Sequence, residues 1–258
     1  MTPVPISPWF DLLQQDCAHT PGTQLFFILD QACCPVPLWR NITSVISPQA
    51  VHSLFTGLPE AHLIDLAPLL IEVDLNEPLQ RLWFENLLTT VDPRSGVLAL
   101  HSPWPFRDLC QFFGHCMEAR FGGAVGLFRY YDPRIFPPLM RDVLEPEQRQ
   151  RLLRPAISWC WLDRDGMPQR LAGLAEPPEF VDKQDPFELT DPQLETLGCV
   201  ADATAALRTF VDGVPDCESE QTFQRCYAAM LEATRIGLIV DSQRQAFALE
   251  QLSKGEPV

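Results

Sequence analysis

The chain has 258 residues, of which 46% are hydrophobic and 21% are charged, a composition typical of a folded globular protein and not of a disordered one. It carries 34 acidic and 19 basic residues, and its net charge of −15 argues against nucleic acids and anionic membranes as partners. Because we recognise neither a signal peptide nor an apolar run of transmembrane length, we expect a cytoplasmic protein whose nine cysteines are reduced and mostly buried.

Predicted helices and strands alternate along the first two thirds of the chain. Three Ser-Pro pairs, beginning at Ser7, Ser47 and Ser102, indicate helix starts, because Ser suits the N-cap and Pro suits the first turn. The predicted helices are 7–17, 47–57, 60–66, 79–87, 102–117 and short stretches up to about 153. The predicted strands, chosen for their apolar runs and bounding turns, are 25–29, 69–73, 96–100, 124–130, 157–162 and 167–171.

This alternation predicts the fold class. Residues 1–175 are expected to form an α/β (α+β) lobe, with a mostly buried sheet flanked by helices. Residues 176–190 are rich in proline and acidic side chains and are typical of a linker. Residues 191–258 show only helical periodicity, opened by Thr190 and Gln193 at capping-box spacing, and predict a smaller all-α lobe.

Cysteine and histidine offer the best candidates for catalysis. Cys110 or Cys116 with His101 or His115 as the base would make a thiol-dependent hydrolase or transferase. Cys116 lies near the apolar face of its predicted helix, which favours a buried structural thiol. The sequence has no CxxC and no HExxH motif. It also has no Gly-rich phosphate loop after a strand, because Gly122 and Gly123 precede a predicted strand instead of following one. We therefore expect no cofactor, no metal and no enzymatic activity.

The most unusual stretch runs from a predicted strand into an Asp-Pro turn. It places Arg129 and Arg134 on either side of Asp132. A bidentate Arg–carboxylate pair holds a turn in place effectively, so we expect one of these arginines to clamp Asp132 as an organising contact.

The same stretch contributes to a family resemblance over about residues 24–166. The blocks that carry it, in chain order, are Leu25 to Asp30, Leu54 to Gly57, Ala67 to Leu70, Gly96 to Leu98 with Ser102 and Pro103, Leu127 to Arg134 and Trp159 to Asp165. They resemble the type VI secretion effector adaptors, also called Tap or TEC chaperones. The residues that correspond to the signature of that adaptor domain are Asp30, Pro68, Ser102, Phe128, Arg129, Tyr131, Asp132, Pro133 and Arg134.

The resemblance implies a role in protein binding. Such adaptors bind a toxic effector in the cytosol and bring it to the secretion spike protein VgrG, in some cases through a PAAR-domain tip protein. The apolar faces of the helical lobe are the candidate partner-binding surface, either as an open groove or as a self-packed bundle. The candidate residues are Leu194, Leu197, Phe210, Phe223, Tyr227 and Met230. An immunity protein that binds and silences a toxin without delivering it is the closest alternative.

Overall fold

The computed structural model describes residues 7–19, 22–178, 185–209 and 219–254. The chain divides into an α+β unit, Met1–Pro137 with Glu145–Glu188, and a helical unit, Pro138–Leu144 with Leu189–Val258. This confirms the predicted fold class, an α+β N-terminal lobe followed by an all-α C-terminal lobe. The short segment 138–144 groups with the helical unit, which the sequence pattern did not predict.

The described residues of the α+β unit contain nine strands and seven helices. The strands are β1 Gln24–Asp30, β2 Val51–Ser53, β3 Pro68–Glu72, β4 Val97–Ser102, β5 Glu118–Phe121, β6 Ala124–Leu127, β7 Ser158–Leu162, β8 Pro168–Ala172 and β9 Phe187–Glu188. The helices are α1 Ser7–His19, α2 Trp39–Ile42, α3 Pro78–Leu87, α4 Pro93–Gly96, α5 Phe106–His115, α6 Phe136–Pro138 and α7 Pro146–Leu153.

Six strands form one antiparallel sheet in the order β2-β3-β1-β4-β7-β8. Six of the seven β1 residues are buried, because helices cover both faces of the sheet at this central strand. On one face Phe27 packs on Phe84 of α3, with ring centroids 4.1 Å apart. On the other face Phe26 stacks on Phe106 of α5 at 6.2 Å. Burial on both faces explains why β1 is a continuous apolar run without alternation.

A smaller sheet has the order β6-β5-β9 in the described residues. Gly122 and Gly123, which connect β5 to β6, have positive φ angles of +54° and +82° and form a tight turn. The strand predicted over 124–130 ends at Leu127, because the chain then leaves the edge of the sheet and enters a turn.

The helix predicted over 47–57 is wrong. Pro48–Ala50 form one 3-10 turn, and β2 follows directly as the edge strand of the large sheet. Val51 pairs with Ile71 of β3, so main-chain pairing across the sheet replaces helical hydrogen bonds. The spacing of Val51, Leu54 and Phe55 fits a helix, but these three buried residues reach the core from a strand and the turn after it.

The helix predicted from Ser102 begins four residues later, at Phe106. Ser102 ends β4, and its hydroxyl donates to the Pro155 carbonyl at 2.6 Å and accepts from the Trp104 N–H at 3.1 Å. The serine therefore stabilises a turn between β4 and α5. The helix predicted over 60–66 is two 3-10 turns, Pro59–His62 and Ile64–Leu66.

The described residues of the helical unit contain α8 Asp191–Thr209, α9 Glu220–Arg235 and α10 Asp241–Ser253, with a π-helical turn at Leu139–Val143. Gln193 accepts a hydrogen bond from the Thr190 N–H at 3.0 Å, as the capping spacing predicted, and donates to the Val143 carbonyl at 2.8 Å. The start of α8 is thereby joined to the π-helical turn.

One arginine connects the three helices described in the helical unit. Arg244 of α10 donates to the Asp202 carboxylate of α8 at 2.8 Å and to the Thr234 hydroxyl of α9 at 2.9 Å. Its side chain is only 11% exposed, so these contacts replace most of its hydration. Among the helices of the described residues, none combines the length and the apolar character that a membrane crossing requires.

Candidate functional site

Asp30, at the end of β1, is a carboxylate inside the α+β unit. It is 1% exposed, because the buried strand β1 carries it into the interior. Its carboxylate accepts hydrogen bonds from the Ala32 N–H at 3.1 Å and the Cys33 thiol at 3.3 Å. Arg129 approaches from a segment 99 residues away and donates from Nη2 to Asp30 Oδ2 at 2.6 Å. The guanidinium supplies the positive charge that a buried carboxylate requires.

Asp132, at 2% exposure, is the second buried carboxylate. Arg134 holds it with two parallel bonds, from Nε to Oδ1 at 2.9 Å and from Nη2 to Oδ2 at 2.7 Å. The hydrogen bond to Asp132 raises the pKa of the Arg134 guanidinium above its ordinary value. Arg129 Nη2 also lies 3.6 Å from Asp132 Oδ2, so Asp30, Arg129, Asp132 and Arg134 form one Asp–Arg cluster.

The sequence pattern predicted an arginine clamp on Asp132, and the structure assigns it to Arg134. The main partner of Arg129 is instead Asp30, which the sequence pattern did not connect with it. In chemical terms each carboxylate already accepts from a guanidinium and from a main-chain N–H. Such an arrangement holds the end of β1 against the turn at 129–134.

The two aromatic residues of the signature, Phe128 and Tyr131, lie in the same chain segment as Arg129 and are buried. Tyr131 is 3% exposed and lies under the Arg129 guanidinium, 5.9 Å from its ring centroid. Phe128 packs on Phe187 of β9 at 5.1 Å, and the turn residue Pro133 is buried. Burial raises the pKa of Tyr131, so its hydroxyl stays protonated at neutral pH.

The remaining signature residues lie in strands of the same unit. Pro68 opens β3 directly opposite Asp30 in the β1–β3 pair, and Ser102 ends β4. Gln31 is an organising residue that the sequence analysis missed, although it directly follows Asp30. Its buried amide donates to the carbonyls of Ile64 and Ala67, at 3.0 and 2.9 Å. The available signal was the position of this polar residue directly after the buried strand that ends at Asp30.

The candidate catalytic thiols are buried. Burial raises the pKa of both Cys110 and Cys116 to about 12, the opposite of what a nucleophilic cysteine needs. His101 is fully buried, with Nε2 at 2.8 Å from the Leu13 carbonyl and Nδ1 at 3.0 Å from the Ser158 hydroxyl. Within the ranges that the structure describes, no three His, Cys, Asp or Glu side chains come together as a metal-binding group.

The candidate partner-binding residues lie mostly inside the helical unit. Phe223, Tyr227 and Met230 of α9 are buried, whereas Leu194 and Leu197 of α8 are partly exposed. Phe210 lies outside the described residues. The buried stripe of α8 is formed by Gln193, Cys199, Val200, Ala203, Ala206 and Leu207, and it does not include Leu194 or Leu197. A role for the α9 side chains in partner binding would need this packing to open, and it stays a prediction.

The Asp–Arg cluster lies within a segment of the chain that matches a protein-family model. Residues 25–151 match the model of a family described as Domain of unknown function (DUF4123). The match contains every residue of the adaptor signature named from the sequence, and it ends before β7. No curated protein matches the chain. No solved structure matches it either.

Proposed function

We propose that this protein is a non-enzymatic adaptor that binds a toxic effector of a type VI secretion system in the cytosol and loads it onto the VgrG spike, directly or through a PAAR-domain tip protein. The DUF4123 match supports the proposal, because that family is associated with type VI secretion adaptors.

One observation carries the proposal from sequence to structure. The block from Leu25 to Asp30 and the block from Leu127 to Arg134 meet physically, through the 2.6 Å bond between Arg129 and Asp30. Signature residues from two distant blocks that meet around buried carboxylates support the interpretation that the signature specifies a common fold. In an adaptor, such a fold is the platform on which binding surfaces are carried.

The chemistry of the thiols also supports a binding role. A catalytic cysteine needs a lowered pKa and an accessible base. Burial holds Cys110 and Cys116 as protonated thiols, and His101 is already engaged with a main-chain carbonyl and a hydroxyl.

The test is a tagged pull-down from the native cytosol, followed by mass spectrometry and by reconstitution from purified components. We expect a toxin and a spike protein to be recovered together, and we expect the three purified proteins to co-elute in size-exclusion chromatography. The matched control is an unrelated acidic protein with the same tag, which removes proteins captured by charge alone.

The other outcomes separate the alternatives. Recovery of a toxin that is silenced, with no spike protein in the complex, would contradict the adaptor proposal and favour an inhibitor. Recovery of neither, together with rapid labelling of Cys110 or Cys116 in the folded protein, would favour a thiol-dependent enzyme.

A further inference from the structure

A groove of about 660 Å³ lies between β2 and α5 in the α+β unit. Val51 and His52 line it from the strand, and Arg107, Cys110 and His115 line it from the helix. Its volume falls within the range of roughly 300–1,000 Å³ that is typical of ligand sites. The Asp–Arg cluster does not contribute to this groove, so it is a separate feature of the matched region.

The strand that borders the groove has a free edge. β2 pairs only with β3 in the described residues and ends the large sheet. The Leu54 N–H donates to the Pro68 carbonyl at 2.9 Å, so the alternation of an antiparallel strand directs the main-chain groups of Val51 and Ser53 away from β3. The Ser53 carbonyl already accepts a hydrogen bond from the Thr56 N–H at 3.0 Å. Two N–H donors and the Val51 carbonyl therefore face outward, and no described residue pairs with them.

The groove also has a charged end. Arg107 is exposed in the first turn of α5, and among the described residues no carboxylate pairs with it. Glu118 also lines the groove, but it follows the last residue of α5, whereas Arg107 is in the first turn. Because the ten residues of α5 span about 15 Å, the two side chains belong to opposite ends of the helix. Burial lowers the pKa of His52 and of His115, so both imidazoles are neutral at pH 7 and Arg107 is the permanent cation. In a chain of net charge −15, this unpaired arginine is a specific attachment point for an anionic group.

We propose that an extended segment of a partner protein binds in this groove by adding a strand to β2, with an Asp or Glu side chain of that segment paired to Arg107. Main-chain hydrogen bonds to Val51 and Ser53 hold the segment, and alternate side chains enter the groove over α5. The exposed stretch of β2 offers at most three such bonds, so the ion pair and the side-chain contacts supply the selectivity. The proposal rests on the proposed function only in assuming that this protein has a partner.

The experiment uses a probe that contains no toxin or spike sequence. A phage-displayed library of random 12-residue peptides is panned on the full chain, and the enriched peptides are synthesised and measured by fluorescence anisotropy. We expect enriched peptides to share an acidic residue and to lose at least tenfold in affinity for Arg107→Glu. The matched control is Arg40→Glu, an exposed arginine outside the groove, which should bind within twofold of the unmodified chain. A carboxylate in the first turn of a helix suits the helix dipole, so Arg107→Glu is expected to fold.

Strand addition has its own readout in the peptide backbone. N-methylation of every second amide of an enriched peptide removes the hydrogen bonds on one edge only. We expect one of the two alternating N-methylated peptides to lose binding and the other to keep it.

Three results would overturn the proposal: no peptide enriched above the Arg107→Glu background, equal binding of both N-methylated peptides, or a dimer of the chain that Arg107→Glu dissociates. If Arg107→Glu still recovers both toxin and spike and the peptide assays give one of these three results, the groove proposal fails while the adaptor function stands. If peptides bind as expected and neither protein is recovered, the adaptor function fails and the groove remains a peptide site.

Discussion

The geometry of the Asp–Arg cluster predicts how far Arg129→Ala lowers the free energy of unfolding. The substitution removes the 2.6 Å hydrogen bond to Asp30 and leaves that carboxylate buried, with only the Ala32 N–H and the Cys33 thiol as donors. A hydrogen bond to a charged group contributes about 1.5–3 kcal/mol, and breaking a fully buried ion pair costs roughly 3–5 kcal/mol. Because the Arg129 side chain is 43% exposed, water partly replaces it, and we expect a loss of about 2 kcal/mol in the free energy of unfolding.

The assay can be confined to the unit that contains the cluster. All six tryptophans of the chain belong to the α+β unit, so urea unfolding followed by tryptophan fluorescence reports on that unit alone. The slope of the transition should stay unchanged while its midpoint falls, which indicates a change in stability and not in the unfolded state.

Arg81→Ala is the matched control. Like Arg129, Arg81 is 43% exposed and lies over an aromatic ring, that of Phe10 at 5.6 Å. The two arginines differ in their partners, because Glu85, the partner of Arg81, is 41% exposed, whereas Asp30, the partner of Arg129, is 1% exposed. An exposed ion pair contributes roughly 0–1 kcal/mol, so Arg81→Ala should cost well under half as much. Equal losses for the two variants would refute the argument that burial of the partner carboxylate sets the cost.

Two further predictions concern glycines and thiols of the α+β unit. A Cβ on Gly173 would lie 2.0 Å from a main-chain oxygen, so Gly173→Ala should cost roughly 3 kcal/mol in the same urea assay, whereas Gly114→Ala, with open space at its Cβ, should stabilise α5 by up to about 1 kcal/mol. In iodoacetamide labelling mapped by mass spectrometry, the exposed Cys33 should react before Cys116, because burial keeps Cys116 unreactive until the unit unfolds. Burial and the charge of Asp30 raise the pKa of Cys33 to about 11, and the thiolate is the reactive form, so its rate should rise about tenfold per pH unit between pH 7 and 10.

The opposite results would be equally informative. A Gly173→Ala variant as stable as the unmodified chain would mean that the connection after β8 can shift to accept a methyl group. A labelling rate at Cys33 that is already saturated at pH 7 would mean that nearby guanidinium groups, and not burial and Asp30, dominate the ionisation of this thiol.

The central part of the fold followed from local patterns. The apolar run of β1, ending at Asp30, predicted a buried strand because no exposed segment tolerates five consecutive large apolar residues at low cost. The strands predicted over 157–162 and 167–171 form the β7–β8 hairpin, and the residues between them, Asp163 to Gly166, favour a turn. In both places hydrophobic burial and turn chemistry act over a few residues, so the sequence itself carries the information.

Edge elements were less predictable. The segment 47–57 has apolar spacing that fits a helix, and only pairing with β3 makes three of its residues a strand. In α8 the predicted stripe at Leu194 and Leu197 is half-exposed, because the helix turns a neighbouring stripe toward the interior of its unit. An apolar pattern shows that an element is amphipathic, but the packing partner decides which of two adjacent faces is buried.

The sequence alone therefore determined that this chain forms an α+β lobe followed by helices, that Arg129, Asp132 and Arg134 belong to one organising motif, and that the motif resembles an adaptor signature. Only the tertiary structure decided that Arg129 bonds to Asp30 and that β2 has a free edge beside Arg107. The physical reason is the range of the interactions. Local propensity acts within a few residues, whereas an ion pair across 99 residues and the open edge of a sheet exist only after the strands have taken their order.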